Sequence, residues 1–159
     1  MRVLGVDFGQ RRIGLAVSDA SGVLARPWRA VPAAASPRAS AAEVAALLTG
    51  QAGDELSDLG AIVVGLPRRL GGGDTDQTRP ARAFAEALGR LSGLPVHLQD
   101  ERLTSYEAES RLSEREPDWR KRKAKIDAAA AAIILQDYLD SRVSAASPRD
   151  AADLPAEEP

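Results

Sequence analysis

Residues 3–18 read Val3-Leu4-Gly5-Val6-Asp7-Phe8-Gly9-Gln10-Arg11-Arg12-Ile13-Gly14-Leu15-Ala16-Val17-Ser18, and their pattern decides the fold. Two apolar runs, 3–8 and 13–18, flank a short polar turn that begins at Gly9. Strands joined this closely pair antiparallel, because a parallel partner needs a crossover of about a dozen residues or more. Outward from this hairpin, a third strand is predicted over residues 23–31. Pro27 places it at a sheet edge, since proline donates no ladder hydrogen bond. Ser36-Pro37 starts a helix that runs through residues 42–48 and stops at Gly50. Residues 61–65, uniformly apolar, read as a strand covered on both faces. A helix over 79–91, a strand over 96–99, a short helix over 104–112 and a long helix over 126–143 complete the pattern. Residues 66–74, with three glycines, read as a flexible loop, and 113–125, without an apolar period, as a mobile segment. Three strands followed by alternation predict an α/β fold. Its core is a mixed five-stranded sheet with an N-terminal antiparallel meander and helices on both faces.

The whole chain has 159 residues, enough for one domain that buries roughly 70% of its unfolded surface. Residues 1–143 form that domain, and 144–159, rich in Ala, Pro and acids, read as a disordered tail. Aromatics are only 4% of the chain, so the core is built from Leu, Val, Ile and Ala. Cysteine is absent, which excludes disulfides, thiolate zinc sites and Cys nucleophiles. His97 is the single histidine, so multi-His metal sites are excluded too. The net charge of −2 gives no global basic footprint, yet residues 149–159 hold four acids against one arginine and leave the remainder at +1. No apolar leader opens the chain and no run of about eighteen apolar residues occurs, so no membrane association and a cytoplasmic location are expected.

Three carboxylates fall where strands or helices begin or end. Asp7 interrupts an apolar strand, where an unpaired charge costs on the order of several kcal/mol. Either a salt bridge to Arg11 or Arg12 or a bound cation would compensate it. Glu101 follows Asp100 where a strand passes toward a helix, a place where ligands collect in α/β sheets. A solvated acidic pair near a helix N-terminus is the alternative there. Asp127 opens the long helix, either as a capping or dipole-stabilising acid or as a ligand. The alanines at 128–132 let that helix lie close to a sheet and carry Asp127 toward the strand ends. Three converging carboxylates are what Mg²⁺ or Mn²⁺ requires, with open positions left for phosphate oxygens and water. Two such ions, assembled with substrate bound, can drive phosphodiester hydrolysis without any histidine.

Taken together, Val3-Leu4-Gly5-Val6-Asp7-Phe8-Gly9, Ile62-Val63-Val64-Gly65-Leu66-Pro67, Asp100-Glu101-Arg102-Leu103-Thr104 and Lys125-Ile126-Asp127-Ala128-Ala129-Ala130-Ala131 resemble the YqgF family, also called RuvX. The resemblance spans residues 1–142. It implies a ribonuclease H-like fold related to the resolvase RuvC and a nuclease acting on precursor 16S ribosomal RNA or, in the older description, on Holliday junctions. It places Asp7, Glu101 and Asp127 on the family's acidic positions as catalytic and metal-binding residues. Arg102 and Lys125 fall on its basic positions. One turn after Asp127, where the larger resolvases carry a second carboxylate, this chain has Ala130. The loop Leu70-Gly71-Gly72-Gly73-Asp74 also lacks the polar residue often found before its glycine.

Beside Asp127, Arg120, Lys121, Arg122, Lys123 and Lys125 supply five positive charges in six residues. They read as phosphate-binding, or as a solvated face, with Trp119 stacking on an unpaired base or anchoring the segment. The expected partner is nucleic acid, structured RNA or branched DNA, bound by a monomer or a homodimer. His97 shares strand parity with Glu101 and reads as a structural residue or a site neighbour. Two other classes compete with the nuclease reading. Asp7-Phe8-Gly9 also has the form of the first phosphate loop of the actin-like ATP-binding proteins, but such proteins need two lobes and this chain has length for one. A non-catalytic nucleic-acid-binding factor is disfavoured by three retained carboxylates.

Overall fold

A computed structural model describes residues 1–50, 56–69, 71–101 and 118–152, with backbone alone at 119, 120 and 144–152. Five strands form one sheet: β1 (Arg2–Phe8), β2 (Arg12–Ser18), β3 (Ala25–Pro32), β4 (Leu59–Pro67) and β5 (Val96–Glu101). Their spatial order is β3-β2-β1-β4-β5. The first three strands pair antiparallel, with Asp7 opposite Gly14 and Gly14 opposite Ala30. β4 and β5 add in parallel on the other side of β1. Three helices are described: α1 (Pro37–Thr49), α2 (Thr78–Ser92) and α3 (Trp119–Ala152). This is the expected mixed α/β sheet, with Pro27 on an edge strand as predicted.

The period-2 alternation of β1 divides the core in two. Leu4, Val6 and Phe8 join Leu15, Ile62 and Val64 beneath α1 and α2, where Phe8 stacks on Phe84 at 4.7 Å between ring centroids. Val3, Ala16, Ala61 and Val63 face the other way, against Ala131, Ile134, Leu135 and Leu139 of α3. Ser36 caps α1 by accepting the Ala39 amide at 3.1 Å, as Ser36-Pro37 foretold.

Several boundaries differ from the sequence reading for identifiable reasons. β3 starts at Ala25 rather than Val23 because the Asp19 carboxylate accepts the amides of Val23 and Leu24 (2.8 and 2.9 Å) and the Ser21 hydroxyl, which closes a turn. These bonds hold its carboxyl well below the usual range. The glycine-rich segment after β4 is not a loose loop among its described residues. Arg69 donates its amide to Gly73 at 2.8 Å, Gly72 donates to Arg69 at 2.8 Å, and Arg68 bridges to Asp74. β5 extends two residues further than predicted, so Glu101 is the last residue of a strand. The expected helix over 104–112 lies outside the described residues.

The largest correction concerns α3. Its helix begins at Trp119, seven residues before the predicted start, so the segment expected to be mobile is helical from 119 onward. Asp118 explains the early start: its carbonyl accepts the Arg122 amide at 2.8 Å and its side chain the Lys121 amide at 3.5 Å. At the other end the helical backbone is described to Ala152. No helix among the described residues is long and apolar enough to cross a membrane.

Candidate active site

The carboxyl ends of β1 and β5, the start of β2 and the first turns of α3 meet at one end of the sheet. Glycines bring them there. A Cβ at Gly14 would lie 1.9 Å from the Asp127 carbonyl oxygen, so α3 reaches β2 only because residue 14 has no side chain. Further along the same face, a Cβ at Gly5 would meet the Leu135 Cβ at 2.7 Å. At Gly65 it would come within 2.8 Å of the Glu101 Oε2. Gly5, Gly14 and Gly65 thus form a strip, one residue from each of three strands, against which an alanine-rich helix settles. That seating places Asp127 beside Asp7, which is Gly14's partner across the sheet.

Asp7 and Glu101 share a hydrogen bond in which Glu101 donates and Asp7 accepts. Burial is the main influence on both carboxyls. It pushes Asp7 up to about 6 against the opposing hydrogen bond from Glu101, with the charge of Asp127 adding to the rise. Glu101 is pushed up to about 9, first by burial and then by the negative charge of Asp7 and the proton it shares with it. Both shifts run the same way, so bringing the two carboxyls together favours keeping a proton between them. The Glu101 Oε2 is buried without a hydrogen-bond partner. An orphaned carboxylate oxygen beside a second half-buried carboxyl fits a cation, which would satisfy that oxygen and release the shared proton.

Asp127 is held differently. Its Oδ2 accepts from the Arg12 Nε at 2.5 Å. Among the described residues, no three His, Asp or Glu side chains are gathered closely enough to hold one metal ion. Asp7 and Glu101 are brought together, and Asp127 acts on Asp7 through its charge while its carboxylate is turned to arginine. The sequence left a salt bridge from Asp7 to Arg11 or Arg12 as one of two alternatives. The arginine is Arg12, but its partner is Asp127.

The other anticipated residues divide clearly. Lys121, Lys123 and Lys125 are exposed on the first turns of α3 and Arg122 is half-buried. Arg102 lies outside the described residues, as do the side chains of Trp119 and Arg120. Asp100 pairs with the Arg68 Nε at 3.3 Å, away from the Asp7–Glu101 pair. His97 stacks on Tyr138 at 5.3 Å and serves to seat α3 on β5. It stands four residues from Glu101 along the strand, roughly 13 Å.

Comparison with known proteins adds to this geometry. The family model described as "RuvX: Holliday junction resolvase" matches residues 1–141. A relative from Anaeromyxobacter sp. (strain Fw109-5), named "Putative pre-16S rRNA nuclease", is 45% identical over 142 residues, covering 89% of this chain and 98% of its own. One of the same name from Maridesulfovibrio salexigens is 42% identical over 139 residues, covering 87% and 98%. Among solved structures, T. thermophilus RuvC in complex with Holliday junction substrate superposes with a TM-score of 0.50 at 17% identity, covering 90% of this chain and 96% of that one. At that identity the likeness speaks for the ribonuclease H-like fold.

Proposed function

This chain belongs to the RuvX family, and from that premise we propose that it is a divalent-metal-dependent nuclease of the cytoplasm that hydrolyses phosphodiester bonds in precursor 16S ribosomal RNA. The observation that carries the reading is the half-buried Asp7–Glu101 pair, two carboxyls held together with one oxygen left without a partner. Asp7 and Glu101 would hold Mg²⁺ or Mn²⁺, joined by Asp127 once its carboxylate turns from Arg12. Divalent cations, when bound, supply charge stabilisation to the phosphoryl group and acidify the attacking water. Glu101 must give up the proton it shares with Asp7 before both carboxylates act as ligands. With Ala130 where a fourth carboxylate would stand, this chain offers three acidic side chains, and substrate phosphate oxygens complete the ligand set.

The helix start supports the choice of a polyanionic substrate. Lys121, Arg122, Lys123 and Lys125 crowd the N-terminal turns of α3, whose first turn contains no acid. Positive charge there opposes the helix dipole, and a phosphate backbone laid across it removes that conflict.

The test is cleavage of end-labelled precursor RNA and of a four-way DNA junction by wild type and Asp7→Asn, each in Mg²⁺, Mn²⁺ or EDTA. Wild type cuts the RNA with either cation and not in EDTA. Asp7→Asn, which keeps the side chain's shape and removes its charge, melts like wild type and loses activity by about a hundredfold or more. Cleavage that persists in EDTA or in Asp7→Asn would overturn the mechanism. Paired symmetric nicks in the junction, with the RNA left intact, would assign the chain to branched DNA.

A further inference from the structure

Arg12 and Asp127 are 115 residues apart in sequence, yet each is fixed by a glycine beside it. The Gly9 amide donates to the Arg12 carbonyl at 3.1 Å, and a Cβ at Gly9 would lie 2.6 Å from that oxygen. The turn therefore sets where β2 begins and points Arg12 onto the same sheet face as Gly14. Gly14 in turn seats the Asp127 backbone. The ion pair is thus built into the backbone. One of the three acidic positions is thereby neutralised by the protein's own cation.

From this arrangement, and resting on the metal-dependent nuclease reading, we infer that Arg12 is the resident counter-cation of Asp127 in the unloaded protein. Divalent metal displaces it, and the freed guanidinium then binds a phosphate of the substrate strand. Three features support the exchange. Arg12 remains 37% exposed and Asp127 23%, so the guanidinium can swing toward solvent without unpacking the core. A single Nε contact leaves the rest of the planar fork available to a phosphate, the group it matches in shape and charge. Arg12 also stands at the first position of β2, at the sheet end where the scissile phosphate must lie.

The exchange makes opposite predictions for metal and for nucleic acid. Mn²⁺ binding by calorimetry, without substrate, is compared for wild type, Arg12→Gln and Arg11→Gln. Arg11 is an exposed neighbour that loses the same charge without an ion pair to Asp127. Arg12→Gln should bind Mn²⁺ about three- to tenfold more tightly, the range for releasing a partly buried ion pair, and Arg11→Gln within about twofold of wild type. Binding of a precursor RNA oligonucleotide is then measured by anisotropy in EDTA and in Ca²⁺, the latter to hold turnover down. Arg12→Gln should match wild type in EDTA. In Ca²⁺ it should bind more weakly, with a logarithmic salt slope lower by about 0.7–0.9. Arg12→Lys keeps the charge and protects the fold, and carries the same comparison with a smaller effect in each arm. Weaker Mn²⁺ binding in Arg12→Gln, or equal changes in the Arg11 and Arg12 variants, would overturn the inference and leave Arg12 as a fixed support for Asp127. A wild type that binds no Mn²⁺ would overturn the nuclease reading itself, and the inference with it.

Discussion

Replacing Glu101 by glutamine should stabilise the metal-free protein, and more so as pH rises. In the fold Glu101 donates to Asp7 and is pushed up to about 9 from an ordinary value of 4.5. A glutamine amide can make the same donation with no proton to lose. In wild type the unfolded chain ionises Glu101 above pH 4.5, while the folded chain keeps it protonated until about 9. Between those values the unfolded state gains from ionisation and the folded state does not, so stability falls as pH rises. Asp7, pushed up to about 6 from 3.8, adds the same sign over a lower and narrower window. At pH 7 the Glu101 contribution is on the order of a few kcal/mol against folding, an upper bound because the strand end is only partly shielded from water. For a domain of this length each kcal/mol moves Tm by about 2–4 °C. Melting in EDTA across pH 5–9 should show wild type losing stability toward alkaline pH. Glu101→Gln should lose much less and melt about 5 °C or more above wild type at pH 8. Saturating Mg²⁺ or Mn²⁺ should flatten the wild-type curve, because both carboxylates then ionise against a cation. A wild-type Tm in EDTA that is level or rises between pH 6 and 9, or a Glu101→Gln variant less stable than wild type at pH 8, would refute the shared-proton account.

Two further outcomes test the surroundings of the pair. Gly14→Ala places a methyl 1.9 Å from the Asp127 carbonyl, so α3 must move off β2 by more than about 1 Å. A cost of about 1–3 kcal/mol in denaturant melts is expected, with a loss of RNA cleavage near a hundredfold in protein that remains folded; wild-type activity would show that the close seat is not needed. Changing Lys121, Lys123 and Lys125 together to glutamine should leave Tm within about 2 °C, because all three are exposed, and should lower the salt slope of RNA binding by up to about 0.7–0.9 per lost contact. An unchanged slope would make the helix start a solvated face.

What could be read from the sequence and what could not follow one physical line. The hairpin of β1 and β2 was legible because both partners lie within sixteen residues and the apolar runs and Gly9 act locally. Asp7 was legible as an anomaly, a charge inside an apolar strand, and Glu101 and Asp127 through the company of their motifs. The Arg12–Asp127 pair was not. Nothing near either residue encodes a contact across 115 positions, and its choice over Arg12–Asp7 depends on how deeply α3 sinks onto the sheet. The helical form of the basic run was hidden too, since its sequence shows no apolar period and the Asp118 cap precedes it. Gly5 and Gly14 were in view, but a glycine inside a strand reads as a weak point until a second surface is brought against it. Here that surface is α3, and the two glycines together with Gly65 set its depth. Depth decides whether Asp127 lies near enough to Asp7 to raise its pKa while still within reach of Arg12. The acids mark where chemistry can occur. The residues without side chains decide which acids meet, and substitutions at Gly5, Gly14 and Gly65 should accordingly change metal affinity even though none of the three can touch a metal.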